Sequence, residues 1–111
     1  RQALEVQPGN AEAYREMGRT YAAMGLDAEA ERAHLEAVKL RPTDWYGFNV
    51  LGVFYYSRAR YDEAEQAWVK ARDLTPDNDY PYRNLGMLYL YRGELEKARA
   101  QFERTIALKP S

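Results

Sequence analysis

Apolar and small residues recur along the chain at helical spacing, and the whole arrangement returns 34 positions later, then once more. In residues 11–44, Tyr14, Met17, Gly18 and Tyr21 fall at i, i+3, i+4 and i+7, one face of a helix. The pattern predicts a helix from about Glu12 to Met24. Gly25 and Asp27 interrupt it, and Asp27 is predicted to cap a second helix starting near Ala28. That helix would turn Ala30, Ala33, His34, Ala37 and Val38 inward. It would stop before Pro42, because the residue ahead of a proline disfavours helical backbone. In the next stretch Phe48, Leu51, Gly52 and Tyr55 face Ala64, Ala67, Trp68 and Ala71, closed by Pro76. In the last, Tyr82, Leu85, Gly86 and Tyr89 face Ala98, Phe102 and Ile106, closed by Pro110. Asp77, Asn78 and Asp79 offer N-caps ahead of it, and Pro81 is tolerated in a first helical turn.

The register is strict. Gly18, Gly52 and Gly86 are 34 apart, as are Tyr21, Tyr55 and Tyr89; Ala30, Ala64 and Ala98; and Pro42, Pro76 and Pro110. A fixed period of this size marks a stack of helix pairs, each too small to bury its own apolar face. The units are expected at residues 11–44, 45–78 and 79–111, with 1–10 as the tail of a preceding one, so the segment reads as part of a longer protein. Mid-helix glycine costs about 1 kcal/mol against alanine. Three glycines at one phase therefore imply a shared steric need. The expectation is close approach of two helices, with Ala30, Ala64 and Ala98 as the small partners and the tyrosines filling the space beside them.

Composition narrows the function. The 111 residues carry a net charge of −1, so no basic excess steers the chain onto phosphate and nucleic acid is not an expected partner. No apolar run approaches the roughly 18 residues that span a bilayer, and no secretory leader is visible, so no membrane partner is expected either. Cysteine is absent, which removes disulfides and thiolate chemistry and accords with a cytoplasmic location. His34 is the sole histidine, stands at a packing position and reads as structural. With no phosphate-binding glycine loop, no metal-ligand cluster and no nucleophile–base pair, the chain is expected to be non-catalytic and to carry no cofactor or metal.

The succession aromatic-x2-apolar-Gly-x2-Tyr, Ala-x3-aromatic, Pro resembles the tetratricopeptide repeat, most closely over Trp45 to Tyr55 and Ala64 to Trp68. His34 departs from it where Trp68 and Phe102 stand, and Thr105 departs where Ala37 and Ala71 stand. The resemblance implies an all-α solenoid, a right-handed superhelix whose concave face is lined by the first helix of each pair. On that face the frame places Arg15, Arg19, Tyr46, Asn49, Val53, Tyr56, Tyr80, Arg83, Asn84, Met87 and Tyr91. Tyr46, Tyr56, Tyr80 and Tyr91 are the tyrosines the core does not require. Together with asparagine and arginine they combine apolar contact with directed hydrogen bonds. The expected ligand is a peptide or partner helix in this groove, its backbone held by asparagine amides. An acidic group would meet Arg15 and Arg19, or Arg83.

Some members of the family grip a C-terminal carboxylate with basic residues and asparagines. The corresponding positions here are Arg15, Arg19, Val50, Tyr80 and Asn84, of which only Arg15 fits, so chaperone tails of that type are not expected. A second expectation is self-association, because Leu95, Phe102 and Ile106 on the last helix have no covering helix in the sequence.

Overall fold

The computed structural model describes residues 10–109. They form three helix pairs: α1 (Ala11–Ala23) with α2 (Asp27–Leu40), α3 (Trp45–Ser57) with α4 (Tyr61–Leu74), and α5 (Asp79–Tyr91) with α6 (Leu95–Leu108). There is no strand among the described residues. Each pair packs within itself, α2 abuts α3, α4 abuts α5, and α1 touches α3 along the first-helix side. The result is an elongated all-α solenoid of 47 × 25 × 22 Å. The expected tail of a preceding unit, Asn10 apart, and Pro110 lie outside the described residues.

The starts of the first helices are written into the repeat. Asn10, Asp44 and Asn78 are again 34 apart, and each side chain accepts a backbone N–H: Ala13 at 2.9 Å, Tyr46 at 3.0 Å and Tyr80 at 2.9 Å. Such a cap contributes about 1 kcal/mol by satisfying a donor that the helix leaves open. The second helices begin differently. Asp27, expected as a cap, is instead the first helical residue, preceded by Leu26 with no side-chain cap. Its carboxylate pairs with Arg58 of the next unit at 2.9 Å. What turns the chain is backbone. Leu26, Arg60 and Glu94 donate their N–H groups to Tyr21, Tyr55 and Tyr89 carbonyls five residues back, across a residue in the left-handed region.

That residue is Gly25 (φ 78°), Ala59 (φ 61°) or Gly93 (φ 76°). Two units use glycine, which adopts this backbone freely, whereas Ala59 holds it against the clash of its Cβ, at a cost of about 1–2 kcal/mol. Ala59→Gly is therefore expected to raise the unfolding free energy by about 0.5–1 kcal/mol, even after the greater chain entropy of glycine. Urea denaturation with an unchanged slope would record it; a neutral or lower midpoint would refute the strain.

The mid-helix glycines answer a different neighbour from the one the sequence suggests. A Cβ on Gly18 would lie 2.7–2.8 Å from the His34 ring, on Gly52 as little as 2.5 Å from Trp68 Cδ1, and on Gly86 2.7–2.9 Å from Phe102. Each glycine thus lets a ring of the second helix lie flat on the backbone of the first. Ala30, Ala64 and Ala98 are buried, but the three heavy atoms nearest to an added side chain at each of these glycines belong to the ring.

Between units the seam mixes apolar and polar contact. Phe54, Leu51, Leu85 and Leu88 fill it, the last two completely buried, each leucine contributing about 2 kcal/mol by leaving water. The Tyr55 hydroxyl donates to Glu31 at 2.7 Å and, one unit on, the Tyr89 hydroxyl donates to Glu65 at 2.7 Å. Arg60 also reaches Glu31, at 3.0 and 3.1 Å, and spans Glu63 at 3.0 Å. Those bonds, with the phenol of Tyr55, hold the Glu31 carboxyl below its ordinary range. Burial and then the carboxylate push the Tyr55 phenol up, and Tyr89 to about 12 for the same two reasons.

Candidate functional site

The first helices α1, α3 and α5 bring their exposed faces onto one side of the array. At their N-terminal ends the caps Asp44 and Asn78 start α3 and α5 in matching register, which sets Trp45 and Tyr46 beside Tyr80. Trp45 packs edge-on to Tyr46 (ring centroids 5.7 Å) and tilted against Tyr80 (6.3 Å). A cavity of about 390 Å³ opens among them, lined by Arg19, Trp45, Tyr46, Asn49, Val50, Val53, Tyr80 and Asn84. Its volume lies within the usual range of ligand pockets, and ring faces with a few polar atoms line it.

Two arginines brace the tyrosines. The Arg15 guanidinium stands 5.2 Å from the Tyr46 ring centre, and Arg83 stands 4.8 Å from that of Tyr80. Arg19 donates to the Tyr46 hydroxyl at 2.9 Å and to Glu16 at 2.7 Å. Arg83 donates to Asp79 at 3.1 Å. Arg15 is less well served: its Nη1 is buried without a hydrogen bond, 3.6 Å from the Asp44 carboxylate.

The asparagines meet each other. Asn84 Nδ2 donates to Asn49 Oδ1 at 2.7 Å, bridging α5 and α3. Asn49 is buried, and its backbone carbonyl accepts from the Trp68 indole at 3.1 Å. What remains for a ligand is then the side-chain N–H groups of Asn49 and, on Asn84, the second N–H and the carbonyl, while the Asn49 side-chain oxygen is already engaged.

Of the residues singled out from sequence, Arg19, Tyr46, Asn49, Val53, Tyr80 and Asn84 line the one cavity, and Arg15 and Arg83 stack on its tyrosines. Val53 and Met87 are about half exposed on α3 and α5. Tyr56 and Tyr91 stand apart. They pack against Tyr61 at the other ends of the helices, with centroids 5.5 and 5.3 Å from it. Tyr56 lies ten residues beyond Tyr46, about 15 Å along α3. It also belongs partly to the core: half-buried, its ring lies 5.7 Å from that of Trp68. The expectation that the core does not use Tyr56 is corrected accordingly. Trp45 was not among the expected site residues. Its position directly after the cap Asp44, on the first turn of α3, is the signal that places it at the mouth.

Among the described residues no group of three or more His, Cys, Asp or Glu could hold a metal ion, and no helix is long and apolar enough to cross a membrane.

A tetratricopeptide repeat family model matches residues 45–111, more than half of the chain. No curated protein matches the sequence. Among solved structures, a crystal structure of MamA is 29% identical, covering 98% of this chain and 64% of that one, with a TM-score of 0.83. A second MamA crystal structure is 30% identical over 93% of this chain and 56% of that one, at a TM-score of 0.79. The chain thus spans less than two thirds of the MamA chains it matches. The first tetratricopeptide repeat domain of Spaghetti (RPAP3), bound to the HSP90 peptide SRMEEVD, superposes with a TM-score of 0.81 over 96% of this chain and 84% of that one. At 22% identity that likeness is one of fold.

Proposed function

The chain belongs to the tetratricopeptide repeat family, and from that premise we propose that it is a non-catalytic recognition module which holds a peptide or a partner's helix in the trough of α1, α3 and α5. The observation that carries this reading is the open cavity of about 390 Å³ where Trp45, Tyr46 and Tyr80 surround the Asn49–Asn84 pair. Rings give a ligand area to bury at little cost in side-chain entropy, and the free amide groups give its backbone direction. Val53, Met87 and Leu90, each about half exposed, extend the apolar floor toward Tyr91.

Spaghetti, a neighbour in fold, is bound to an HSP90 peptide. Here the positions of the carboxylate clamp are Arg15, Arg19, Val50, Tyr80 and Asn84. Val50 stands where a clamp wants an amide and the Tyr80 ring where it wants a cation, and Tyr46 lines the same space, so the ligand we propose is one with apolar or aromatic side chains. The test is a selection from a displayed library of randomised dodecapeptides. The wild-type protein is expected to enrich a family of sequences, and Tyr46→Ala/Tyr80→Ala to lose them at least tenfold with unchanged helical circular dichroism. Both tyrosines are exposed (39% and 48%), so their removal leaves the core alone. Equal enrichment by the double variant would overturn the assignment of the trough.

A second reading, self-association, is favoured by α6, where Leu95 and Ile106 are each 62% exposed beside half-buried Phe102. Sedimentation velocity from 1 to 100 μM, a range of about a hundredfold chosen around ordinary interface affinities, is expected to show mass rising with concentration. Leu95→Lys/Ile106→Lys is expected to abolish the rise. A monomer throughout removes this reading.

A further inference from the structure

Beside the aromatic cavity lies a smaller one whose chemistry differs. It measures about 180 Å³ and sits between the C-terminal halves of α1 and α3. Arg19, Val50 and Val53 separate it from the larger cavity and line both. Its other walls include Ala22 and Phe54, and His34 of α2 reaches it. An apolar cavity of about 150 Å³ is large enough to take up benzene, so this one has room for an aromatic ring.

The polar groups around it are unequally satisfied. Ser57 donates to the Phe54 carbonyl at 2.7 Å. Arg19 is engaged by Tyr46 and Glu16. The His34 imidazole is 3% exposed, and its Nδ1 has no hydrogen-bond partner. A buried polar atom left bare costs about 1–3 kcal/mol, and that cost is recovered by any ligand group that bonds it. The corresponding positions in the other units are Trp68, whose N–H is bonded to Asn49, and Phe102, which has no polar atom. The bare nitrogen is therefore peculiar to the unit whose ring borders the cavity.

We propose that this cavity is a side-chain subsite for a tyrosine of the bound peptide, its ring against Val50, Val53 and Phe54 and its hydroxyl hydrogen-bonded to His34. The inference rests on the trough being the ligand site. Tyrosine is preferred to phenylalanine because only its hydroxyl meets the imidazole. It is preferred to aspartate or glutamate because burial, reinforced by Arg19 and Arg15, keeps the ring uncharged down to about pH 4. A neutral imidazole offers a carboxylate no charge, and Arg19 already has its carboxylate partner in Glu16.

The experiment uses the same randomised dodecapeptide library and three proteins: wild type, His34→Phe and Ala22→Leu. Phe102 occupies the equivalent position over Gly86, so His34→Phe keeps a ring that this packing accommodates. Ala22→Leu fills the cavity from a wall that the larger one does not share. Wild type is expected to select peptides with tyrosine at one fixed position. A selected peptide should lose about tenfold in affinity on Tyr→Phe and about a hundredfold on Tyr→Ala. With His34→Phe the Tyr→Phe loss should vanish while the Tyr→Ala loss remains, and with Ala22→Leu the position should show no preference. Selection of peptides with no aromatic preference, with aspartate or glutamate at that position, or with a Tyr→Phe loss unaltered by His34→Phe, would each overturn the subsite while leaving the trough in place. Enrichment of no peptide at all by wild type would overturn the trough reading itself, and the subsite with it.

Discussion

Gly52→Ala is expected to lower the unfolding free energy by about 3 kcal/mol, although alanine is the better helix former. The added methyl would lie 2.5 Å from Trp68 Cδ1 and 2.8 Å from Cε2, closer still to Nε1. Trp68 is 4% exposed, so the ring has no open space to retreat into. Overpacking of this kind costs about 1–3 kcal/mol or more. Displacing the indole also breaks its bond to the Asn49 carbonyl, which contributes about 1 kcal/mol, while the gain in helix propensity returns about 1 kcal/mol. For a domain of this size the midpoint of thermal unfolding should fall by about 10–20 °C. Gly86→Ala is the internal control. Phe102 is only half-buried on α6 and can swing toward solvent, so the loss there should be about 1 kcal/mol. Equal losses at the two sites, or a neutral Gly52→Ala, would show that ring-on-backbone packing is not what the glycines provide.

Acid should weaken the fold earlier than carboxylate titration alone would, through His34. Its pKa is lowered from 6.5 to about 4, by burial first and then by the Arg19 and Arg15 charges. The unfolded chain therefore takes up a proton at a pH where the folded one does not. Stability from this group is complete above about pH 6.5, declines as pH falls toward 4, and changes no further below that. The slope reaches about 1.4 kcal/mol per pH unit and the total about 3 kcal/mol. Glu31, whose carboxyl is held low chiefly by Arg60, acts with the same sign but at lower pH, losing its contribution as pH falls through and below the carboxylate range. Urea midpoints of wild type and His34→Phe between pH 4 and 8 separate the two. Wild type should lose stability relative to His34→Phe as pH falls from 6.5 to 4, and the difference should be constant above 6.5. A difference independent of pH would mean that His34 titrates normally in the folded chain.

The repeat was legible because its physics is local. A period of 34, small residues at fixed phase and apolar residues at i, i+3, i+4 and i+7 define six helices whose inner faces can be read without coordinates. Faces are not neighbours, however. The register says that Gly52 and Ala64 both look inward, but the ring that covers the glycine is four residues further along α4, at Trp68. Asp27 has the right chemistry for a cap, yet the left-handed turn at Gly25 already closes the chain, which frees its carboxylate for Arg58. The candidate site behaved likewise. Its exposed tyrosines were recoverable from being surplus to the core, and Tyr46 and Tyr80 do line one cavity. That Asn49 and Asn84 would bond each other depends on the offset between α3 and α5, which no single-helix pattern encodes. The same offset sets Trp45 against Tyr80 at the cavity mouth.

The caps at Asn10, Asp44 and Asn78 and the backbone turns at Gly25, Ala59 and Gly93 give every helix pair its own punctuation. No distant segment must arrive before a pair can close, so chain-closure entropy is small at each step and renaturation can begin at any of three places. Arrays governed by such near-neighbour contacts regain their structure in microseconds to milliseconds. A ligand that reaches across several pairs would then act as a clasp, coupling segments that are otherwise free to open one at a time.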